Sequence, residues 1–221
     1  MKQTPAHELH NEDLLSMIPA NANRVIEIGC STGAMAREFK KKSPRAYWLG
    51  VEINESYAKR AGYFCDETVV LNIENCNSEF FESQKDKDVW VFGDVLEHLK
   101  DPWKVIENVR RVIPDNGSVL ACIPNAQHWS FILKMISGDF FYEDIGLLDR
   151  THLRWFTRKT MLDLFRSRGF RIVEGRPRVF GMPDPQFLEF LRSIAKKYGW
   201  NEEEVLNDSV PLQHILHAVP S

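Results

Sequence analysis

The alternation of apolar and amphipathic segments limits the folds that this chain can adopt more than any other sequence pattern does. Five of these segments read RVIEIG, AYWLGVEI, ETVVLNI, KDVWVFG and GSVLACIP. Nearly continuous apolarity is typical of strands that are buried on both faces, as in a parallel sheet. Helical segments between such strands are typical of βαβ units. The sequence therefore predicts an α/β fold with a doubly wound, mostly parallel sheet and helices on both faces.

The helix boundaries are marked by residues that favour helix ends. Asn11, Asn54 and Thr157 precede helical segments and are good N-caps, since their side chains can accept a backbone N–H of the first turn. Pro102 lies in a first turn, where the missing N–H of proline costs nothing. A further strand, FRIVEGRPRVF, two helices and the closing strand LQHILHAV are predicted near the end of the chain.

The pattern changes after the fifth strand. Residues 129–156 are rich in aromatic side chains and only partly periodic, which is typical of a lid or a substrate-side insertion, and we set its bounds at residues 125–157. No segment has the composition of a linker between domains. We therefore predict a single domain over residues 1–221.

Composition and charge exclude several classes of protein. Hydrophobic residues make up 43% of the chain and charged residues 27%, as in globular proteins. The net charge of −3 does not favour nucleic acid or an anionic membrane as a partner. No apolar run is long enough for a membrane span, no secretory leader is evident, and the four cysteines lack C-x-x-C spacing. We predict a cytoplasmic protein without a metal site, and its oligomeric state is left open.

The first strand leads into a glycine turn within VIEIGCSTGAMAREF. The Gly-Lys-Ser/Thr of a phosphate-binding loop is absent, and the G-x-G-x-x-G pattern of dinucleotide sites is not met. Glu27 precedes the turn, and a carboxylate there would repel a pyrophosphate. The turn favours a ligand without phosphate that carries a cationic or hydrogen-bond-donating group.

Glu52 ends the second strand, next to the glycine turn in a doubly wound sheet. A carboxylate there can accept hydrogen bonds from both hydroxyls of a ribose. The site thus favours a ligand that has a ribose and a cationic group, lacks phosphate, and lies close to the backbone of the turn. S-adenosylmethionine has all of these properties. Two simpler alternatives stay open: Gly29 and Gly33 serving only a tight turn, and Glu52 being a solvated strand end.

Three motifs carry a resemblance to a known family. They are the acid-x-Gly-Cys-x-x-Gly of residues 27–33, then GDVLEHLKDP, then DRTHLRWFT. With them, nearly the whole chain resembles the class I, Rossmann-like S-adenosylmethionine-dependent methyltransferases, in particular a branch that modifies small molecules. The middle glycine that is common in the wider family is Ser31 here. The resemblance implies a seven-stranded sheet whose last strand inserts antiparallel between the fifth and sixth strands.

The resemblance also implies cofactor contacts by position. These fall on Glu27, Gly29, Cys30, Gly33, Glu52, Ile53, Asn72, Ile73, Gly93, Asp94 and Val95. The first four are expected at the methionine part, the next two at the ribose and adenine, and Asn72 and Ile73 at the adenine ring. The last three are expected to close over the cofactor near the reacting methyl group.

Three histidines are candidates for a general base or a substrate contact: His152, then His98, then His128. Asp149 precedes His152 closely enough to orient its imidazole and raise its basicity. Other interpretations stay open: Asp149 and His152 could belong to a structural network that anchors the lid, His98 could be structural, and Glu97 could pair with Lys100 on a helix surface.

Together these features predict an enzyme that methylates a small molecule. The expected acceptor is a hydroxyl group of a sugar, a polysaccharide precursor or a secondary metabolite, and S-adenosylmethionine is the expected cofactor. Two alternatives are a non-catalytic protein that binds S-adenosylmethionine as a scaffold or regulator, and an NAD-dependent oxidoreductase. The failed glycine spacing and Glu27 disfavour the oxidoreductase.

Overall fold

A computed structural model describes residues 8–221 and shows one seven-stranded sheet with the strand order β3-β2-β1-β4-β5-β7-β6. The strands are β1 (Arg24–Ile28), β2 (Tyr47–Glu52), β3 (Glu67–Val70), β4 (Val89–Gly93), β5 (Ser118–Pro124), β6 (Phe170–Arg178) and β7 (Gln213–Pro220). The first five strands pair in parallel. Strand β7 pairs antiparallel with both β5 and β6, so the predicted insertion of the last strand is confirmed.

Helices connect the strands. They are α1 (Glu12–Ser16), α2 (Ala34–Lys42), α3 (Glu55–Ala61), α4 (Ser78–Glu82), α5 (Pro102–Val112), α6 (Trp129–Ser137), α7 (Arg158–Arg166), α8 (Pro185–Tyr198) and α9 (Glu202–Ser209), with 3₁₀ turns at Ile73–Asn75 and Leu96–His98. The side chains of Asn11, Asn54 and Thr157 accept first-turn N–H groups as predicted. Pro102 begins α5.

The core lies on both faces of the sheet. Along β1, Val25 belongs to one buried cluster, whereas its neighbours Ile26 and Ile28 belong to another. Successive side chains of a strand point to opposite faces, so the two clusters cover opposite sides. This arrangement explains the continuous apolarity of the strand segments.

Some elements differ from the sequence expectations. The third strand ends at Val70 rather than Ile73, because Asn72 caps a 3₁₀ turn through a hydrogen bond from the Glu74 N–H. Helices α4 and α6 were not predicted. Helix α6 buries none of its residues, although its polar residues Ser130, Lys134 and Ser137 recur with helical spacing on one face. Within residues 8–221, no helix combines the length and apolarity needed to cross a bilayer.

Candidate functional site

The turn between β1 and α2 has an unusual backbone. Gly29, Ser31 and Gly33 all have positive φ angles, of 74°, 47° and 80°. The N–H groups of Gly29 and Cys30 both donate to the carbonyl of Val51 in the neighbouring strand, at 2.8 and 3.2 Å. These two backbone hydrogen bonds hold the turn against the end of β2.

The two glycines of the turn are required for different reasons. A Cβ atom on Gly29 would lie 2.4 Å from Cγ2 of Val95, in the loop after β4. A Cβ on Gly33 would lie 2.9 Å from the Cα of Ala61 in α3. Gly33 thus lets two helical segments pack closely. Gly29 lets the loops after β1 and β4 approach each other at the carboxyl edge of the sheet, where ligands bind in open α/β folds.

Glu52 links the glycine turn to the end of β2. Its side chain is buried, and its two oxygens accept the N–H groups of Ser31 at 2.8 Å and Asn54 at 2.9 Å. The alternative of a solvated strand end is therefore wrong. The carboxylate holds two loops in place at the edge where the sequence places a ribose.

Glu27 is buried inside β1 and accepts a hydrogen bond from the indole N–H of Trp48 at 3.0 Å. Burial raises the pKa of its carboxyl group well above the usual value, and the negative potential of Cys65 and Glu52 adds to the effect. A carboxyl group in this setting is stabilised in its charged form when a cation approaches. This suits the cationic ligand group that the sequence predicts at the turn.

Several other residues assigned to the cofactor present no free side chain to a ligand. Cys30 and Ile73 are buried in the apolar core, so any contact from them has to come from the backbone. Asn72 caps the 3₁₀ turn by accepting the Glu74 N–H. Ile53, in contrast, is 57% exposed at the end of β2 and offers an apolar surface.

The loop after β4 contains a second strained position. Asp94, directly after Gly93, has a φ of 55°, which few residues other than glycine, Asn and Asp adopt. Its N–H donates to the carbonyl of Cys122, and its carboxylate accepts from Nε2 of Gln213. Strands β5 and β7 thus hold this loop in the shape that brings Val95 against the glycine turn.

A buried cluster of a carboxylate and two imidazoles follows that loop. Glu97, His98 and His152 each place one ligand-type atom within 4.8 Å of the others. Glu97 is 1% exposed, and its Oε1 lies 4.0 Å from Nε2 of His152. The alternative in which Glu97 pairs with Lys100 on a helix surface is therefore wrong. Burial and the neighbouring Asp94 raise the pKa of Glu97, whereas burial lowers the pKa of His152 to about 4.

The partners of the two imidazoles differ from the sequence expectation. Asp149 accepts hydrogen bonds from the N–H and the hydroxyl of Thr151, and the carbonyl of Leu147 lies 3.3 Å from Nδ1 of His152. Thr151 in turn contacts Nδ1 of His98 through its carbonyl at 3.2 Å and its hydroxyl at 3.0 Å. Asp149 therefore acts on His98 through Thr151, and Leu147 orients His152.

His128, the third candidate base, has a structural role here. It precedes α6 as the N-cap, and its Nδ1 interacts with the N–H and the hydroxyl of Ser130. Burial lowers its pKa to about 4. The structure does not place His128 in the cluster around Glu97.

A pocket of about 400 Å³ lies in the 125–157 segment. Its walls come from Phe131 and Met135 of α6 and from Phe140 and Trp155. Phe140 makes an edge-to-face contact with Phe131, with the ring centroids 5.5 Å apart. The described lining is thus apolar and largely aromatic.

The pocket is tied to the buried cluster through the backbone. The N–H groups of Leu153 and Arg154 both donate to the carbonyl of Glu97, at 2.8 and 2.9 Å. Phe156 pairs with Asn125 in an isolated bridge. The residues around Trp155 are therefore fixed both to the loop after β4 and to the end of β5.

The sequence motifs indicate three separate candidate bases and do not indicate that Glu97 is buried. The adjacent pair Glu97–His98 and the later His152 could have been read as one set of potential ligands. Hydrogen bonds from Leu153 and Arg154 to the carbonyl of Glu97, and between His98 and Thr151, bring the two motifs together. The sequence does not reveal these contacts.

Comparisons with known proteins agree with this geometry. Residues 6–175 match the family described as a methyltransferase domain. The MJ1123 protein of Methanocaldococcus jannaschii is 25% identical over 183 residues, which cover 81% of this chain and 77% of that protein. A ubiquinone biosynthesis O-methyltransferase of Paracidovorax citrulli is 23% identical over 180 residues, which cover 75% of each chain.

The fold has close relatives among solved structures. An S-adenosylmethionine-dependent methyltransferase from Mesorhizobium loti superimposes with a TM-score of 0.62 at 16% identity, over 94% of this chain and 96% of that one. The family match spans most of the chain and includes the glycine turn, Glu52 and the loop after β4. The chain therefore belongs to the methyltransferase-domain family, as a class I S-adenosylmethionine-dependent methyltransferase.

Proposed function

We propose that this protein transfers the methyl group of S-adenosylmethionine to a hydroxyl group of an apolar, ring-containing small molecule. The observation that carries the proposal is the position of the 400 Å³ aromatic pocket, whose wall residue Trp155 follows two residues bonded to the carbonyl of Glu97. An acceptor in this pocket is held beside the loop expected to cover the cofactor.

The residues at the carboxyl edge of the sheet fit S-adenosylmethionine. Glu52 lies at the end of β2 where the ribose is expected, and a carboxylate can accept hydrogen bonds from ribose hydroxyls. Glu27 gains its charge when the ammonium of the methionine part approaches. The exposed side chain of Ile53 supplies an apolar face for adenine. Gly29 leaves the space that a ligand needs against the backbone of the turn.

In methyl transfer, the protein mainly has to position the acceptor and remove its proton. Bound S-adenosylmethionine supplies an electrophilic methyl group on a sulfonium. The chain has to align the acceptor oxygen with the methyl carbon and exclude water from both. It also has to accept or release the hydroxyl proton, and the neutral imidazoles of His98 and His152 are the groups placed for that task.

The pocket also bears on the class of acceptor. Aromatic rings stack on planar rings and on the apolar faces of sugars. The described lining residues, however, include no carboxylate or amide that would bind several sugar hydroxyls. The O-methyltransferase relative from Paracidovorax citrulli supports a hydroxyl acceptor. We therefore place aromatic hydroxyls first, and the sugar hydroxyls suggested by the sequence resemblance second.

Calorimetric titration with S-adenosylhomocysteine tests the cofactor site. We expect the wild-type protein to bind one equivalent and Glu52→Ala to bind at least about 10-fold more weakly, since it loses the ribose acceptors and two loop contacts. Glu55→Ala removes an exposed carboxylate one turn away and is the matched control. Equal affinity for Glu52→Ala and wild type would reject the ribose assignment.

Transfer of a radiolabelled methyl group tests the acceptor class. The panel contains catechols and other phenols, prenylated phenols, and nucleotide sugars, each incubated with protein and labelled S-adenosylmethionine. We expect label in the phenol products. Label in the nucleotide sugars alone would reject the aromatic acceptor. No transfer to any member of the panel, from protein that binds the cofactor product, would favour a non-catalytic role.

A further inference from the structure

Glu97, His98 and His152 form a group whose donor atoms face one another without an evident reason in the protein alone. One donor atom from each residue lies within 4.8 Å of the other two. The two imidazole rings are 4.7 Å apart between centroids and inclined by 69°. Two elements that are distant in sequence bring these side chains together, namely the 3₁₀ turn after β4 and the segment that follows α6.

Glu97 is the part of this group that points to a ligand. It is 1% exposed, and neither of its carboxylate oxygens has a hydrogen-bond partner among residues 8–221. A buried carboxylate is normally paired with a cation or with hydrogen-bond donors, because it has lost the stabilisation that water gives. Asp94 and Asp149 add negative potential around it. The surroundings of Glu97 therefore favour a cation.

The two imidazoles are oriented as ligands. A carbonyl oxygen can only accept, so Nδ1 of His152 is the protonated nitrogen that donates to Leu147. The carbonyl of Thr151 fixes His98 in the same tautomer. In both rings Nε2 keeps its lone pair. Histidine ligands of metal ions are typically held by such a bond from the other ring nitrogen to a carbonyl or carboxylate.

We propose that Glu97, His98 and His152 bind a divalent first-row transition-metal ion. Two imidazoles and one carboxylate are a donor set for such ions, whereas Mg²⁺ and Ca²⁺ prefer oxygen ligands. Donor atoms at about 2.0–2.1 Å from one ion stand roughly 3 Å apart. The 4.0 Å between Glu97 Oε1 and His152 Nε2 has to close by about 1 Å, which small rotations of the side chains provide.

The ion would act on the methyl acceptor, and this step rests on the proposed function. Three protein ligands leave coordination positions for the acceptor oxygen. A bound hydroxyl loses its proton to water more readily, because the ion lowers its pKa. The oxygen then forms a bond to the methyl carbon while the carbon–sulfur bond breaks, and the bonding electron pair stays on the sulfur of S-adenosylhomocysteine. With the ion bound, the imidazoles serve as its ligands and water takes the proton, which His98 or His152 would accept in the metal-free protein.

Titration of the full chain with Co²⁺, after removal of metal with a chelator, tests the site. Co²⁺ bound to nitrogen and oxygen ligands of a protein absorbs visible light more intensely than aqueous Co²⁺ does. We expect wild-type protein to bind one equivalent, Zn²⁺ to displace it, and the thermal unfolding midpoint to rise on binding. Absence of an intense band and of a midpoint shift with either ion would overturn the proposal, whatever the variants do.

Variants identify the ligands. We expect Glu97→Gln and His152→Asn each to weaken Co²⁺ binding at least about 100-fold, more than the loss typical of a supporting residue. His217→Asn, which removes a histidine of β7 bonded to Ser118 outside the cluster, should bind Co²⁺ like wild type. Equal Co²⁺ affinity in wild type, Glu97→Gln and His152→Asn would overturn the assignment of the site.

Titration of the same proteins with S-adenosylhomocysteine separates this proposal from the proposed function. Cofactor-product binding without Co²⁺ binding rejects the metal site alone. Co²⁺ binding without cofactor-product binding rejects the methyltransferase site and leaves the metal site standing. Retained S-adenosylhomocysteine binding in Glu97→Gln also shows that the variant is folded, so its loss of Co²⁺ binding reports the ligand.

Discussion

The loops after β1, β2 and β4 and the 125–157 segment form the two halves of the candidate site, and they are built differently. The loops are shaped by the backbone: Gly29 and Asp94 have positive φ angles, and N–H groups are accepted by Glu52 and Val51. The 125–157 segment presents side chains instead, and Met135, Phe141 and Ile145 are more than half exposed.

This difference matches two kinds of ligand. Backbone geometry can be fixed for a single ligand that all members of the family share, such as the cofactor. Exposed apolar side chains on a segment with few buried residues can be exchanged without disturbing the sheet. We therefore expect substitutions in the loops to affect cofactor binding and folding, and substitutions in the pocket to affect the acceptor.

The strongest test of the backbone half is Gly29→Ala. The new Cβ would lie 2.4 Å from Cγ2 of Val95, at a φ of 74° that costs a residue with a side chain about 1–2 kcal/mol. We expect the affinity for S-adenosylhomocysteine, measured by calorimetry, to fall by at least about 100-fold. Gly181→Ala is the control, since its Cβ meets nothing within 4 Å. Unchanged affinity in Gly29→Ala would refute the close approach of ligand and turn.

The join between the start of the 125–157 segment and the residues that precede β7 is tested by Asn125→Ala. The fully buried amide of Asn125 donates to the carbonyls of Asp208 and Pro211 and accepts the Gln127 N–H. Its removal leaves these groups unsatisfied, and we expect a loss of about 2–3 kcal/mol in the free energy of unfolding by urea. Asn21→Ala on the surface should change it by less than about 0.5 kcal/mol. Equal stability of Asn125→Ala and wild type would show that the join contributes little.

The acid sensitivity of the fold is tested at His214 in β7. Burial lowers its pKa to about 4, whereas the unfolded chain has the ordinary value of about 6.5. The neutral folded form thus contributes stability that is present above pH 6.5 and is lost as the pH falls toward 4. We expect wild type to lose about 2 kcal/mol more than His214→Gln between pH 7.5 and 5 in urea titrations. Parallel losses in the two proteins would contradict the depressed pKa.

The smallest effect on folding is expected in the pocket. Trp155→Leu removes ring surface from a residue that is 39% exposed, so the free energy of unfolding should change by less than about 1 kcal/mol. The KM for an identified acceptor should rise about 10-fold, and the affinity for S-adenosylhomocysteine should stay the same. Trp200→Leu, an exposed indole after α8, is the matched control. A loss of cofactor affinity in Trp155→Leu would contradict the assignment of the cofactor to the loops and of the acceptor to the pocket.

Much of the fold could be predicted because its determinants are local. Asn54 and Thr157 cap helices with their own side chains, and β1 carries the continuous apolarity of a strand buried on both faces. The antiparallel insertion of the last strand between the fifth and sixth strands followed from the family resemblance and is confirmed. Helix α6 is not predicted because the aromatic-rich segment around it is only partly periodic, although Ser130, Lys134 and Ser137 recur with helical spacing.

The candidate site could be predicted only in part. Glu52 lies at the end of its strand as expected, and its burial excludes a solvated role. The contact between His98 and His152 and the burial of Glu97 depend on how the 125–157 segment meets the loop after β4. Contacts between elements that are far apart in sequence produce no local periodicity or spacing, so the sequence does not predict them.

The position of β7 between β5 and β6 has a consequence for synthesis of the chain. Strand β6 pairs with β7 alone in this sheet, and the edge of β5 is likewise completed by β7. As the chain leaves the ribosome, β7 emerges after every other strand of the sheet. The backbone N–H and C=O groups along the edges of β5 and β6 therefore lack their strand partner until β7 has been translated. We expect ribosome-bound chains that lack β7 to be the species most dependent on chaperones.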